Sequence, residues 1–359
     1  MKKQPGPDNI SPEFIHNLDP KAMKILTTIY NKVWSSRDNL PDEWKKAIIV
    51  PMLKPDKLAN LVSSYRPTPL TAILAKIQER MIVARLNWYL ENQTLLPEEQ
   101  AGFRQNRSKT YQPTKLTQEI KRAFNQKESV PAVFVYFSRA YDSIWRAKLV
   151  EKLKNMNTEG NTMAWFSRFL DQSWTKVKYG ETFSKYKQTK VGLSQRAVTS
   201  TTLFNDYIND LPHIVRNTKT NIRMYADDVV IWASTKNNAK QHKPLEQTIS
   251  TALNSLSKWA TENNMEINAS KTVYQFFSMR HKNDSVDLKI NSQKLPKSES
   301  TKYLGVHLDN KRCWKNHVKH TINKVNQRLR LIKRLAEATW GSTQETTNTA
   351  YKTYVKQCG

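Results

Sequence analysis

Apolar positions recur at spacings of three and four through FIHNLDPKAMKILTTIYNKV (14–33), ILAKIQERMIVARLNWYLE (73–91) and residues 245–264, and this period predicts amphipathic helices. Shorter helices are expected at LPDEW (40–44), which has a proline near its start, near 112–125, after residue 145 and from about 201 to 214. Strand signals differ in kind. VPAVFVYFSRAYDSIW (130–145) opens with a near-continuous run of β-branched and aromatic residues, and AIIVPMLKPDK (47–57) is apolar until a Lys-rich turn. Pro51 cannot donate to a ladder, so an edge or hairpin-arm position is expected for that second strand. KVKYGETFSKYKQTKVG (176–192), MEINASKTVYQFFSM (265–279) and KYLGVHLD (302–309) are strand-like, and 314–340 is helical and heavily basic. No repeat or long low-complexity linker intervenes. The pattern reads as one continuous α/β body with a basic helical end.

Composition sharpens this picture. The 38% hydrophobic fraction is low, but ten Trp, fourteen Tyr and eleven Phe argue for packed interiors rather than disorder. Fifty-eight Lys and Arg against 31 Asp and Glu leave a formal charge of +27, which points to an anionic partner, nucleic acid above all and an acidic membrane surface otherwise. The first twenty residues lack the apolar region of a signal peptide, and no apolar stretch is long enough to span a bilayer. Cys313 and Cys358 lie far apart with no CxxC or Cys/His grouping, so neither a disulfide framework nor a structural zinc site is expected. Only eight glycines are present, so tight turns must be made by other residues.

The chemistry concentrates in MYADDVVIW (224–232), where Asp227 and Asp228 sit between two apolar arms. The arms predict a hairpin with the acidic pair in its turn. Adjacent aspartates on a strand point to opposite faces, whereas at a tight turn both can lie near one ion. The bland reading is a solvated hairpin tip. The sharper one is a Mg²⁺ site, because that ion takes hard oxygen ligands and leaves positions for phosphates. A two-ion phosphoryl-transfer centre needs a further carboxylate from another strand.

The chain resembles the reverse transcriptases of non-LTR (LINE-type) retrotransposons, with a particular likeness to the jockey-like group. The resemblance is carried in order by WKKAIIVPMLKPDK (44–57), SYRPTPLTAILAKIQERMIVARL (64–86), QAGFRQNRSKTYQ (100–112), AVFVYFSRAYDSIW (132–145), VGLSQRAVTSTTLFNDYINDLP (191–212), MYADDVVIW (224–232), WATENNMEINASKT (259–272) and KYLGVHLDNKRCWKNHV (302–318). It implies an α/β (α+β) right-hand polymerase fold: a helical extension over 1–39, fingers over 40–125, palm over 126–310, and the start of a truncated thumb over 311–359. It implies an RNA-directed DNA polymerase acting on an RNA template, a primer DNA or RNA/DNA duplex and dNTPs, by two-metal catalysis with Mg²⁺. By the same resemblance Asp227 and Asp228 are the metal-binding catalytic pair. Lys54 and Arg66 approach the incoming triphosphate, Tyr141 lies beneath the sugar, Gln195 belongs to the turn beside template and nucleotide, and Lys271 lies near the leaving phosphate. Bland alternatives stand beside these roles: Tyr141 as a core aromatic, Gln195 as an ordinary turn residue, Lys54 and Lys271 as surface cations. The likeness also implies intracellular, nuclear action with no membrane association, although no motif fixes the compartment.

Several positions depart from the family pattern. Laid on Leu-Asp-Leu-Ser-Lys-Ala-Phe-Asp, the segment VYFSRAYD (135–142) places Tyr136 where the family has its third metal-binding Asp. A neutral, bulky phenol stands where the ions need a compact anion. Asp142 is six residues further on, about 20 Å along an extended chain at ~3.3 Å per residue, and is not expected to substitute. In LSQRAVTST (193–201), Ser194, Arg196 and Thr201 replace Pro, Gly and Pro. Asn106 replaces a usual Gly, Tyr111 a usual Asp, and Pro69 a common Ser. With no endonuclease module before residue 40 and an abrupt end at YKTYVKQCG, the chain reads as a fragment of a decayed element. Three functional classes remain open at this stage: an impaired polymerase, a non-catalytic nucleic-acid binder and an unselected remnant.

Overall fold

A computed structural model describes residues 5–55, 57–171, 173–193, 197–236, 242–279, 285–336 and 341–356. Where the sequence pattern reads as one continuous body, the structure separates into two compact units, each assembled from three chain segments. The first comprises Met1–Ser108, Tyr136–Val229 and Thr251–Asn268; the second comprises Lys109–Val135, Val230–Ser250 and Ala269–Gly359.

In the first unit, strand Lys46–Leu53 forms an antiparallel hairpin with Tyr65–Thr71, in a register that pairs Ala47 with Thr71 and Met52 with Arg66. Its other edge runs parallel to Ser173–Tyr179, so the strand carrying Pro51 is interior rather than an edge. The hairpin-arm part of the expectation holds. Proline is tolerated because the parallel pairing covers only residues 46–49, leaving Pro51 beyond its reach. Ser173–Tyr179 pairs in turn with the short strands Thr182–Phe183 and Lys187–Thr189. Arg146 secures this region by donating to Gly192 O (2.8 Å), Thr189 O (2.9 Å), Leu170 O (3.1 Å) and Ser173 Oγ (2.8 Å).

Helix Ile73–Asn92 buries Ile82, Leu86 and Leu90, successive i, i+4 positions on one face. The helical stretch expected at 201–214 is two helices, Ser200–Tyr207 and Leu211–Arg216, the second with proline in its first turn. The stretch after residue 145 is likewise two, Arg146–Asn155 and Gly160–Asp171. A second sheet has the strand order Glu266–Ile267, Glu128–Ser138, Asp228–Trp232, Asn221–Tyr225, and its 136–138 and 228–229 portions belong to this unit.

In the second unit, the 128–135 part of the long strand pairs antiparallel with Val273–Phe277 and with Thr235–Lys236. Helix Tyr111–Asn125 and the hairpin Ser300–Tyr303/Val306–Asp309 belong here as well. The Asp309 carboxylate accepts from the N–H groups of Lys311, Cys313 and Trp314 (3.2, 2.8 and 2.7 Å). These bonds fix the entry to the basic helix Lys315–Leu335, which is shorter than the expected 314–340. Residues 337–340 lie outside the described residues.

The scarcity of glycine has a visible consequence. Among the described residues, non-glycine side chains take positive φ at many turns, including Asn106 (61°), Arg139 (47°), Ala226 (53°) and Leu304 (50°). Asn106 is the inexpensive case, because Asn tolerates the left-handed region where glycine would otherwise serve. Ala226 and Leu304 carry strain of roughly 1–2 kcal/mol that their surroundings must offset.

Two buried carboxyls add to the cost. Glu79, on the 73–92 helix, accepts from the Thr199 N–H and hydroxyl (3.3 Å each), and burial raises its carboxyl from 4.5 to about 7. Asp206 is wholly buried with, among the described residues, no hydrogen-bond partner for either carboxylate oxygen, and burial pushes it well above the usual aspartate range. Each group binds its proton more tightly folded than unfolded. Its stabilising contribution is therefore present below the unfolded pKa and lost as pH rises through the folded value, for Glu79 between 4.5 and about 7. Relative to the unaltered chain, Glu79→Gln is expected to gain on the order of 3 kcal/mol in urea unfolding between pH 4 and pH 8. Asp206→Asn should change in the same direction. A difference that does not vary with pH for either variant would contradict the buried, proton-holding state of these groups.

Candidate functional site

The acidic pair occupies the tight connection between strands Asn221–Tyr225 and Asp228–Trp232. Ile222 and Met224 on the first strand and Val229 to Trp232 on the second are buried, so both arms are anchored in packed interior as their apolar character requires. The turn residues are Ala226 and Asp227; Asp228 already begins the second strand.

The turn is positioned from outside the hairpin. The side-chain amide oxygen of Gln100 accepts from the Ala226 N–H (3.0 Å) and from the Gly102 N–H (2.8 Å). The backbone repeats the link, since Met224 N donates to Glu99 O (2.9 Å) and Ala101 N to Met224 O (3.0 Å). Gly102 has no room for a side chain: a Cβ there would lie 2.4 Å from Ala226 N. Its carbonyl accepts from Asn205 Nδ2 (2.7 Å) on helix Ser200–Tyr207. Phe103 packs on Tyr225 with ring centroids 6.1 Å apart. Gln100, Gly102 and Asn205 are site-forming residues missed in the sequence, where QAGFRQNRSKTYQ (100–112) and VGLSQRAVTSTTLFNDYINDLP (191–212) serve only to carry the resemblance. The available signal was a glycine retained within QAGF in a chain that has so few.

Asp227 is largely buried, and burial holds its carboxyl above the usual aspartate range, partly opposed by a backbone hydrogen bond. Asp228 is exposed. Tyr141 stacks on Phe204 with centroids 4.5 Å apart and planes at 21°. Burial raises its phenol, and the nearby Asp227 charge raises it further, so Tyr141 and Asp227 share one electrostatic neighbourhood.

Tyr136 breaks the burial pattern of its strand. It is 43% exposed between buried Val135 and Phe137, on the strand next to Asp228–Trp232 in the sheet order. Its carbonyl accepts from Asn268 N (2.9 Å). The chain turns at 139–142, and Asp142 is exposed on that turn.

The remaining candidates are more scattered. The Lys54 ammonium donates to Ser63 O (2.9 Å) within its own loop. Arg66 is exposed opposite Met52. Among the described residues neither is bonded to the acidic turn. Lys271 is exposed before strand Val273–Phe277, in the second unit. Gln195 lies outside the described residues, together with Ser194 and Arg196.

Asp227 and Asp228 are the hard oxygen donors that one Mg²⁺ accepts beside water and phosphate. A two-ion centre asks for more. Among the described residues no three of His, Cys, Asp or Glu come together in a way that could hold a metal ion. The donors present do not fit a two-ion centre. Among the described residues, no helix is long and apolar enough to cross a membrane.

Residues 52–308 match the family model described as reverse transcriptase (RNA-dependent DNA polymerase). The chain is 28% identical over 339 residues to the probable RNA-directed DNA polymerase from transposon BS of Drosophila melanogaster, covering 93% of this chain and 37% of that protein. It is 28% identical over 323 residues to the RNA-directed DNA polymerase from mobile element jockey of the same organism, covering 89% and 34%. It is 23% identical over 363 residues to the retrovirus-related Pol polyprotein from type-1 retrotransposable element R1 of Bradysia coprophila, covering 100% and 35%. The chain thus spans about a third of the length of the curated relatives it matches.

The latch on the acidic turn is open to direct test. Gln100→Ala leaves two backbone N–H groups unpaired and is expected to destabilise the fold by about 2 kcal/mol or more. Amide hydrogen exchange at Gly102 and Ala226 should accelerate beyond the global change. Exchange at these two amides that merely follows global stability would show that Gln100 does not hold the turn.

Proposed function

We propose that this chain, which belongs to the reverse transcriptase family and to its non-LTR retrotransposon branch, is an RNA-directed DNA polymerase scaffold whose nucleotidyl transfer is impaired. The observation that carries the reading is the pairing of an intact acidic turn with Tyr136 on the neighbouring strand. Asp227 and Asp228 are retained and held in place, while a half-exposed phenol stands where the family resemblance calls for the third carboxylate. Addition of a dNTP to a primer 3′-hydroxyl develops charge on the phosphoryl oxygens, and two carboxylates do not supply the donor set that such chemistry asks for. The fingers, palm and thumb assignments over 40–125, 126–310 and 311–359 belong to this reading.

Other residues take their roles from the same reading. Tyr141, fixed against Phe204 beside Asp227, would bound the sugar site. Arg66 and Lys54 would meet the triphosphate, Arg as a planar fork and Lys as a point charge. Gln195 and Lys271 keep their template-side and leaving-phosphate roles. Mg²⁺, an RNA template, a primer duplex and dNTPs remain the expected partners, and nuclear action the expected setting.

A second reading, a non-catalytic nucleic-acid binder, is favoured by the formal charge of +27, which favours backbone phosphates whatever the state of the acidic site.

Primer extension on an RNA template, in Mg²⁺ and in Mn²⁺, separates the two. The unaltered chain is expected to be silent, and Tyr136→Asp to raise extension by more than about 100-fold, beyond what an outer-shell contact alone is worth. Adding Asp227→Asn to that background should abolish the gain. Extension by the unaltered chain that Asp227→Asn removes would overturn the assignment of Tyr136 as the defect. Silence of all three folded proteins would leave the non-catalytic binder.

A further inference from the structure

One face of the first sheet carries lysines interleaved with aromatic rings. Register fixes its membership. Lys46 pairs with Trp174 and Ile48 with Lys176 in the parallel ladder, and Lys178 lies opposite Phe183. Directly paired residues project to the same side and alternate along each strand, so Lys46, Trp174, Lys176, Lys178 and Phe183 share a face. The opposite side holds Ala47 in the core, opposite Thr175.

Tyr186 joins the patch. The Lys176 ammonium lies 4.5 Å from the Phe183 ring centroid and 4.9 Å from that of Tyr186, while Lys46 lies 5.9 Å from Tyr186. Lys178 lies 5.4 Å from Phe183. The rings remain open to solvent, with Trp174 36%, Phe183 46% and Tyr186 38% exposed. Counter-charges are weak: Lys46 and Lys178 approach Glu43 and Glu181 only at 3.8 and 3.9 Å. Arg146, bonded to the paired residues Ser173 and Thr189, holds one end of the sheet that carries the patch.

Such a surface has a definite preference among anions. A duplex keeps its bases inside and offers only phosphates, which lysines alone would satisfy. Exposed ring faces are used only by unstacked bases, and ring stacking with adjacent cations is how sequence-tolerant single-strand binding arises. The patch also continues toward Arg66, which pairs with Met52 and so projects to the same side. Arg66 stands two strands over from Ser173–Tyr179, about 10 Å across at the usual inter-strand spacing.

We infer that this face is a stacking platform for single-stranded nucleic acid. Bases lie on Trp174, Phe183 and Tyr186, and Lys46, Lys176 and Lys178 turn from the rings to the phosphates. The inference rests on the nucleic-acid reading above and is independent of catalytic competence.

Fluorescence anisotropy with labelled oligo(U) of about 20 nucleotides, spanning at least one platform, and with an RNA duplex of equal length, tests it. Phe183→Ala with Tyr186→Ala is expected to weaken oligo(U) binding at least about tenfold, roughly the worth of one stacked base, and to leave duplex binding unchanged. Its salt slope should stay that of the unaltered chain. Lys176→Gln with Lys178→Gln should lower the slope by about 1.4, near 0.7 for each phosphate no longer neutralised. An aromatic variant that melts normally and binds oligo(U) as tightly as the unaltered chain overturns the platform, as does equal weakening of single-strand and duplex binding. Retained RNA binding with lost binding to phosphatidylserine vesicles would assign the face to a membrane surface instead. If the unaltered chain binds no RNA, the nucleic-acid reading fails with it; indifference to these variants removes only the platform.

Discussion

The amide oxygen of Gln100 accepts from two backbone N–H groups at once, those of Gly102 and Ala226, and the placement of the acidic turn follows from that shared bond. Ala226 holds a left-handed conformation that alanine adopts reluctantly. The bond from Gln100, the paired backbone of Glu99, Ala101 and Met224, and the close approach of Gly102 make the alternative conformations worse. Helix Ser200–Tyr207 enters the same arrangement through Asn205, and its Phe204 carries Tyr141 beside Asp227. A handful of hydrogen bonds thus couples three chain segments distant in sequence to one carboxylate.

Scaffold and chemistry have diverged in quality. The arms of the acidic hairpin are buried, its turn is held by the Gln100 amide oxygen, and the sheet bearing Arg66 is held by Arg146. Against this stand a phenol at Tyr136, left-handed turns built from residues that resist them, and Asp206 buried with no partner for either oxygen among the described residues. Under the proposed function, these features fit a polymerase scaffold under relaxed constraint better than one redesigned for another reaction.

Much of this was legible in the sequence, and the remainder has physical causes for being hidden. The hairpin around Asp227 and Asp228 was evident because apolar arms of opposite direction leave few other folds. Helix Ile73–Asn92 was evident from its period, although its ends were not. The interior position of the strand bearing Pro51 was hidden, because a parallel partner that stops at residue 49 comes from more than a hundred positions away. The role of Gln100 was hidden for a similar reason: a side-chain amide bonded to distant backbone leaves no periodicity. The two-unit division was unreadable because each unit draws on three separated segments. Of the sequence candidates, Tyr141 and Asp227 come together, Lys54 is bonded within its own loop, and Lys271 lies in the other unit.

On the proposed function, Asp227 and Asp228 make an incomplete ion site and Tyr136 marks the missing donor. Mn²⁺ binding measured by electron paramagnetic resonance, in the presence of a dNTP and a primer-template, tests this without requiring turnover. At most one weakly bound ion is expected in the unaltered chain, and in Tyr136→Asp a second ion with affinity raised by about tenfold or more. Two tightly bound ions in the unaltered chain, both lost in Asp227→Asn, would contradict it.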